Sequence, residues 1–265
     1  MGVATEGPAA LSHAPMNPQP TASETPISPG VAKAALAIER YVLPWMYAYF
    51  AWQWVDVGLA HFAEYRKHAA EPVAQSIAVE LTRDLLRFLL TAFTGSMLLF
   101  SRAPRTLPDR LKHITVPLVM SFYFPLYALV GHLPAELRES LIPPEWQTTA
   151  ALAGLLVSLL GYVIAIWALI HLGRSFAMLV SVRTVVSSGP YAYVRHPIYL
   201  GYALELCGLL LANCSPGMLL FGVGFAGILV TRARIEEEKL CEMDETYRLT
   251  LARTGFLLPR FSGRG

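Results

Sequence analysis

The amino-acid sequence predicts an all-α integral membrane protein of about six transmembrane helices, the last two forming a short helical hairpin. Three observations carry that prediction. Only 15% of the 265 residues are charged, against about 25% in soluble domains. Hydrophobic residues make up 54% of the chain, and the mean hydropathy is +0.45. The charges are also unevenly spread, leaving long apolar runs that approach the roughly 20 residues needed to span a bilayer.

The first 30 residues hold six prolines among Ala, Ser, Thr and Gly. Such a composition buries no core, so 1–30 reads as a disordered Pro/Ala-rich tail. Six apolar segments follow. The first, 38–62, carries the aromatic cluster Tyr47, Tyr49, Phe50, Trp52 and Trp54. The second, 85–101, opens at Arg87, which reads as an interfacial residue. The third, 114–133, contains Pro117 and Pro125, where kinks are expected because neighbouring helices satisfy the freed carbonyls. The fourth, 147–170, is free of charge and long enough to cross. The fifth and sixth, 198–212 and 216–231, are about 15 residues each, so each covers about 22–24 Å. NCSPG (213–217) between them is a turn signal. The chain thus divides into the tail, a four-helix region over 31–170, and a C-terminal region over 171–265.

Orientation follows from the arginines and lysines of short loops. Loop 102–113 has Arg102, Arg105, Arg110 and Lys112 against one aspartate, whereas loop 134–146 has Arg138 against three glutamates. Loop 171–197 carries Arg174, Arg183 and Arg195. With six spans, loops 102–113 and 171–197 and both termini are expected on the cytoplasmic side.

Other classes find little support. A net charge of +2 without a basic, aromatic-interleaved patch argues against nucleic acid. The three cysteines show no CxxC spacing, and the histidines no HxxxH or HxxH pairing on a helix face, so no metal site is expected. The GxGxxG at Gly222, Gly224 and Gly227 lies inside an apolar run, where small residues serve helix packing rather than dinucleotide binding.

Two polar clusters stand out. GPYAYVRHPIYLG (189–201) makes a turn at Gly189-Pro190. Pro197 disfavours helix at His196 and suits the first turn of a new one, so the fifth helix should begin at His196-Pro197. Its free N–H groups would then favour a negative group, with Tyr191, Tyr193 and Tyr199 around it. The bland alternative is an interfacial tyrosine belt with one positive-inside arginine. TRARIEEEKL (231–240) follows the sixth segment. Arg232 and Glu236 are four apart and share a face, while Glu237 faces elsewhere; a solvated charge run is the alternative. The hairpin returns 232–237 to the membrane face that holds 189–199. Glu205, an acid inside the fifth segment, is a functional candidate by position.

GPYAYVRHPIYLG, followed by EExxL (Glu236, Glu237, Leu240), Tyr247 and a terminal LLPRF, resembles the isoprenylcysteine carboxyl methyltransferase family, which shares this C-terminal signature with phospholipid N-methyltransferases. The likeness covers 172–260. It implies a helical membrane bundle with S-adenosylmethionine bound on the cytoplasmic side by the C-terminal region. Carried over, it assigns the cofactor to Tyr191, His196, Pro197, Ile198, Tyr199 and Glu236, and more loosely to Arg183–Val186. It assigns the acceptor carboxylate to Arg232; Glu205 joins as an acceptor contact. CEMDETY (241–247) stands where the family has Phe-Gly before its tyrosine. The implied reaction is carboxyl O-methylation of an amphipathic, lipid-like acceptor drawn from the bilayer. Rivals are an amine or thiol acceptor, an NADPH-dependent sterol-type reductase, and a non-catalytic membrane protein or transporter. Ile198 and Tyr202 stand where such reductases tend to have Asn and an acid.

Overall fold

A computed structural model of the chain describes residues 26–123, 126–243 and 247–260. Among them the architecture is all-helical, with no named strand. Ten α-helices follow in order: α1 (Pro29–Tyr41), α2 (Leu43–Lys67), α3 (Ala74–Leu99), α4 (Lys112–Tyr123), α5 (Tyr127–Val130), α6 (Ala135–Arg138), α7 (Pro144–Leu172), α8 (Pro197–Ala212), α9 (Pro216–Met243) and α10 (Tyr247–Arg253). Among the described residues two stretches are long and apolar enough to cross a membrane, Pro144–Ser175 and Pro216–Met243, while α8 is apolar but shorter. The outward faces of α7 and α9 are greasy: Leu156 is 67% exposed and Val223 73%, an arrangement that suits lipid better than water.

Several boundaries differ from the sequence reading. Most of the proline-rich tail lies outside the described residues, but 26–30 are placed. Ile27 donates to the Asp109 carbonyl at 2.9 Å, and the Ser28 hydroxyl caps α1. The second segment begins eleven residues early, at Ala74, and Arg87 lies inside α3, 8% exposed, instead of at an interface. Pro117 sits within α4, which ends at Tyr123; the Pro125 expectation falls outside the described residues. The largest correction concerns the sixth segment. α9 runs unbroken for 28 residues through TRARIEEEKL, because its polar turns find partners on the surrounding loops.

The hairpin is therefore unequal, and α8 packs chiefly on α7 rather than α9. Glycines explain why. A Cβ on Gly161 would stand 2.6 Å from the Gly201 carbonyl, and one on Gly201 2.7 Å from the Gly161 carbonyl. The two backbones touch, as small residues permit in membranes. In the GxGxxG, Gly222 packs on Leu210 and Gly224 on Tyr123, whereas Gly227 has open space.

Cross-links between loops define the two ends of the bundle. At one end Arg102 N–H reaches the Arg174 carbonyl (2.7 Å), Arg105 N–H the Val182 carbonyl (2.7 Å) and Arg195 N–H the Gly255 carbonyl (2.9 Å). At the other, Leu141 N–H reaches the Cys214 carbonyl (2.7 Å). The segments before α1, after α3, after α7 and after α10 thus share one end, and the candidate site opens there.

Candidate active site

The chain leaves α7 through Gly173 and re-enters helix at α8, and both corners need glycine. Gly189 has φ +59°, and a Cβ there would run into the His171 ring. A side chain would be strained by the backbone and blocked by the neighbour. A 3-10 turn, Gly189–Ala192, follows; His196 is then the N-cap of α8, with Pro197 in its first turn. The expected start of this helix is the observed one.

His196 stacks on Tyr199, ring centroids 5.3 Å apart and 14° from parallel, with Phe256 edge-on at 5.2 Å. Its Nε2 lies 3.1 Å from Glu237 Oε1. Across from α8, the three glutamates of α9 take three directions, as 100° steps require. Glu236 turns into the cavity, where Tyr199 Oη and Arg232 Nε (3.1 Å) both donate to Oε1. Glu237 pairs with Arg195 and His196 instead of staying wet. Glu238 pairs with Arg110 and with Lys112 at 2.9 Å. The next residue, the buried Lys239, reaches Asp109 at 2.7 Å. The charge run is a set of struts.

Arg232, 5% exposed, donates through Nη2 to the Met178 carbonyl at 2.7 Å and lies 5.6 Å from the Tyr199 ring. Its Nη1 faces two sulfurs, Met120 Sδ at 3.7 Å and Met178 Sδ at 3.6 Å, which are weak acceptors. Burial, with Glu236 beside it, pushes the Tyr191 hydroxyl well above the ordinary tyrosine range, so it stays protonated.

One cavity of about 550 Å³ lies among these groups, bordered by Glu205 and by every residue that the resemblance assigns to cofactor or acceptor, but not by Tyr193 or Glu237. The volume falls inside the usual range for small-molecule sites. Their situations differ. Arg183 spends its guanidinium on protein: Nε on the Arg102 carbonyl (2.7 Å), Nη1 on the Phe176 carbonyl, and Nη2 on Glu39 (3.2 Å). Val186 is half-buried at the rim. Pro197 and Ile198 are buried in the first turn of α8. Glu205 lies deeper, accepting from Tyr162 Oη. Asp244–Thr246, in the departing CEMDETY segment, lie outside the described residues.

Sequence reasoning missed Glu39, Arg87 and Tyr162. Glu39 holds the cavity wall, accepting from the Met178 and Leu179 N–H groups at 2.6 and 3.2 Å. Arg87 and Tyr162 line the deep end. A charged residue inside an apolar run was the available signal for Arg87; nothing local marks the other two.

Comparison with known proteins finds a family match in the C-terminal half of the chain. Residues 153–242 match the model of the isoprenylcysteine carboxyl methyltransferase (ICMT) family. Over 125 residues the chain is 30% identical to a Protein-S-isoprenylcysteine O-methyltransferase of Xenopus laevis, covering 45% of this chain and 43% of that protein. The match therefore spans less than half the length of the curated relative. The chain also aligns with a solved structure of the eukaryotic intramembrane Ras methyltransferase ICMT, at 18% identity and a TM-score of 0.43, over 87% of this chain and 93% of that one.

Proposed function

We propose that this chain, whose residues 153–242 match the isoprenylcysteine carboxyl methyltransferase family, is a membrane-embedded methyltransferase. It uses S-adenosylmethionine to methylate a carboxylate on an amphipathic, lipid-like acceptor. The observation that carries the reading is Glu236, turned into the cavity and held by Tyr199 of α8 and Arg232 of α9.

The lining suits that cofactor. A sulfonium is a cation, and Glu236 presents a carboxylate beside the Tyr191 and Tyr199 rings and the His196 imidazole, an environment that attracts positive charge. The cofactor's own carboxylate suits the first N–H groups of α8, because the His196 side chain does not cap them. When bound, the cofactor supplies a methyl already activated on sulfur.

The chain's own residues then bind, orient and exclude water. Arg232 receives the acceptor carboxylate through Nη1, replacing two sulfur contacts with a charge-assisted hydrogen bond. Glu236 and the Met178 carbonyl hold the guanidinium's other two nitrogens, so it is pre-aimed. A carboxylate is ionised at neutral pH and attacks without a base. The bilayer delivers the acceptor, and six spans (α2, α3, α4 with α5, α7, α8 and α9) carry the chain across it. The end that gathers loops 102–111 and 173–196 faces the cytoplasm, since it concentrates the arginines.

The test is calorimetric titration of detergent-purified protein with S-adenosylmethionine and with NADPH, for wild type and Glu236→Ala. Saturable S-adenosylmethionine binding, weakened about tenfold or more by the substitution, is expected. Binding of NADPH instead would transfer the chain to the reductases.

A further inference from the structure

The cavity does not end at Arg232. On α8, Tyr199 is level with Glu236, and Glu205 stands six residues further in, about 9 Å deeper at the helical rise. Facing it from the middle of α3 is Arg87, and from α7 Tyr162; all three line the cavity, and each is buried. Arg87 sits 4.9 Å from the Trp54 ring and 5.7 Å from the Tyr127 ring, with an ion pair to Asp84 at 3.4 Å; across the same cavity Glu205 accepts from the Tyr162 hydroxyl. Asp84 in turn is 2.6 Å from His61. A purely hydrocarbon-binding tunnel has no use for this cluster, because charges in the apolar interior are costly.

Charge balance decides what it receives. An incoming carboxylate would sit against Glu205 and Asp84, and an ammonium against Arg87. A neutral oxygen suits both sides: it accepts from the Arg87 guanidinium and, if a hydroxyl, donates to Glu205. Arg83 makes a useful contrast, since its Nη1 and Nη2 reach Glu80 (2.6 Å) and the Ala151 carbonyl (3.3 Å) and it does not line the cavity.

We propose that the acceptor carries, besides the carboxylate that is methylated, a neutral hydroxyl or carbonyl about 9 Å along its chain, bound between Arg87 and Glu205. The acceptor class is an oxygenated lipid acid rather than a plain hydrocarbon one. This rests on the methyltransferase reading for the position of the carboxylate.

The test compares hexadecanoic acid with 8-hydroxyhexadecanoic acid, each titrated calorimetrically into the full-length protein in detergent with S-adenosylmethionine present. The hydroxy acid should bind about tenfold tighter, the gain of one hydrogen bond to a charged partner. Arg87→Met should bring the ratio within about twofold of unity, and the isosteric Glu205→Gln should lower it if Arg87→Met does not fold. Equal affinities in the wild type, a ratio that survives both substitutions, or binding of neither acid overturns the proposal. Failure of S-adenosylmethionine alone to bind would remove the methyl-transfer reading while leaving the acid preference measurable.

Discussion

Replacing Glu39 by glutamine changes one heavy atom outside the cavity lining and should loosen the whole wall. Glu39 is 2% exposed and takes three donors: the Met178 N–H, the Leu179 N–H and the Arg183 guanidinium. Burial pushes the Arg183 pKa down from its ordinary value, and Glu39 is the group opposing that shift. Glutamine keeps the volume but removes the charge and aims an NH2 at donors. Stranding one partner of a buried pair costs about 3–5 kcal/mol. For a chain of this size that lowers the unfolding midpoint by about 6–20 °C. Met178 also accepts from Arg232, so S-adenosylmethionine affinity should fall about tenfold as that guanidinium loses its brace. The assay is thermal unfolding in detergent, followed by near-ultraviolet circular dichroism, with calorimetry for the cofactor. Arg183→Met combined with Glu39→Gln should cost less than the sum of the two singles, by about 1–3 kcal/mol. A midpoint unchanged within about 2 °C, or strict additivity, would refute the argument.

Two further outcomes follow from the loops. Gly189→Ala forces a side chain into left-handed backbone against the His171 ring. The backbone part costs about 1–2 kcal/mol of stability, and adding His171→Ala should restore the steric part of the lost stability but not the backbone part. Full restoration, or none, would contradict this account. Asp109 has its pKa lowered: burial opposes the shift, but the Lys239 hydrogen bond and charge outweigh it. A depressed carboxyl adds stability above its unfolded value, near pH 4, and loses it as pH falls through the lower folded one. The unfolding midpoint should therefore drop below about pH 4, and Asp109→Asn should flatten that part of the profile, by under about 1 kcal/mol because the side chain is 47% exposed. An identical profile in the variant would exclude the pairing as its source.

The site was legible where chemistry and spacing are local. Pro197 set the start of α8, a period of 3.6 put Arg232 over Glu236, and the hairpin brought 232–237 back to 189–199. Where the sequence reading failed, the deciding partner was remote. The sixth apolar segment was read as 216–231, with a solvated charge run as the alternative for the stretch that follows; α9 takes in both. It continues because Arg195, Arg110, Lys112 and Asp109, distant in sequence, neutralise its turns. Arg87 read as an interfacial residue because an apolar window cannot show that the rings of Trp54 and Tyr127 cover it.

Composition and periodicity settle the helical class, the apolar segments and the two clusters that meet, because hydropathy and helical pitch act over a few turns of one chain. They leave open which charges become buried, that α8 takes α7 as its partner, and that Glu39 and Arg183 brace the wall. Those outcomes depend on pairings between residues up to 144 positions apart. A buried charge is tolerable only where such a partner meets it, and no single segment carries that information.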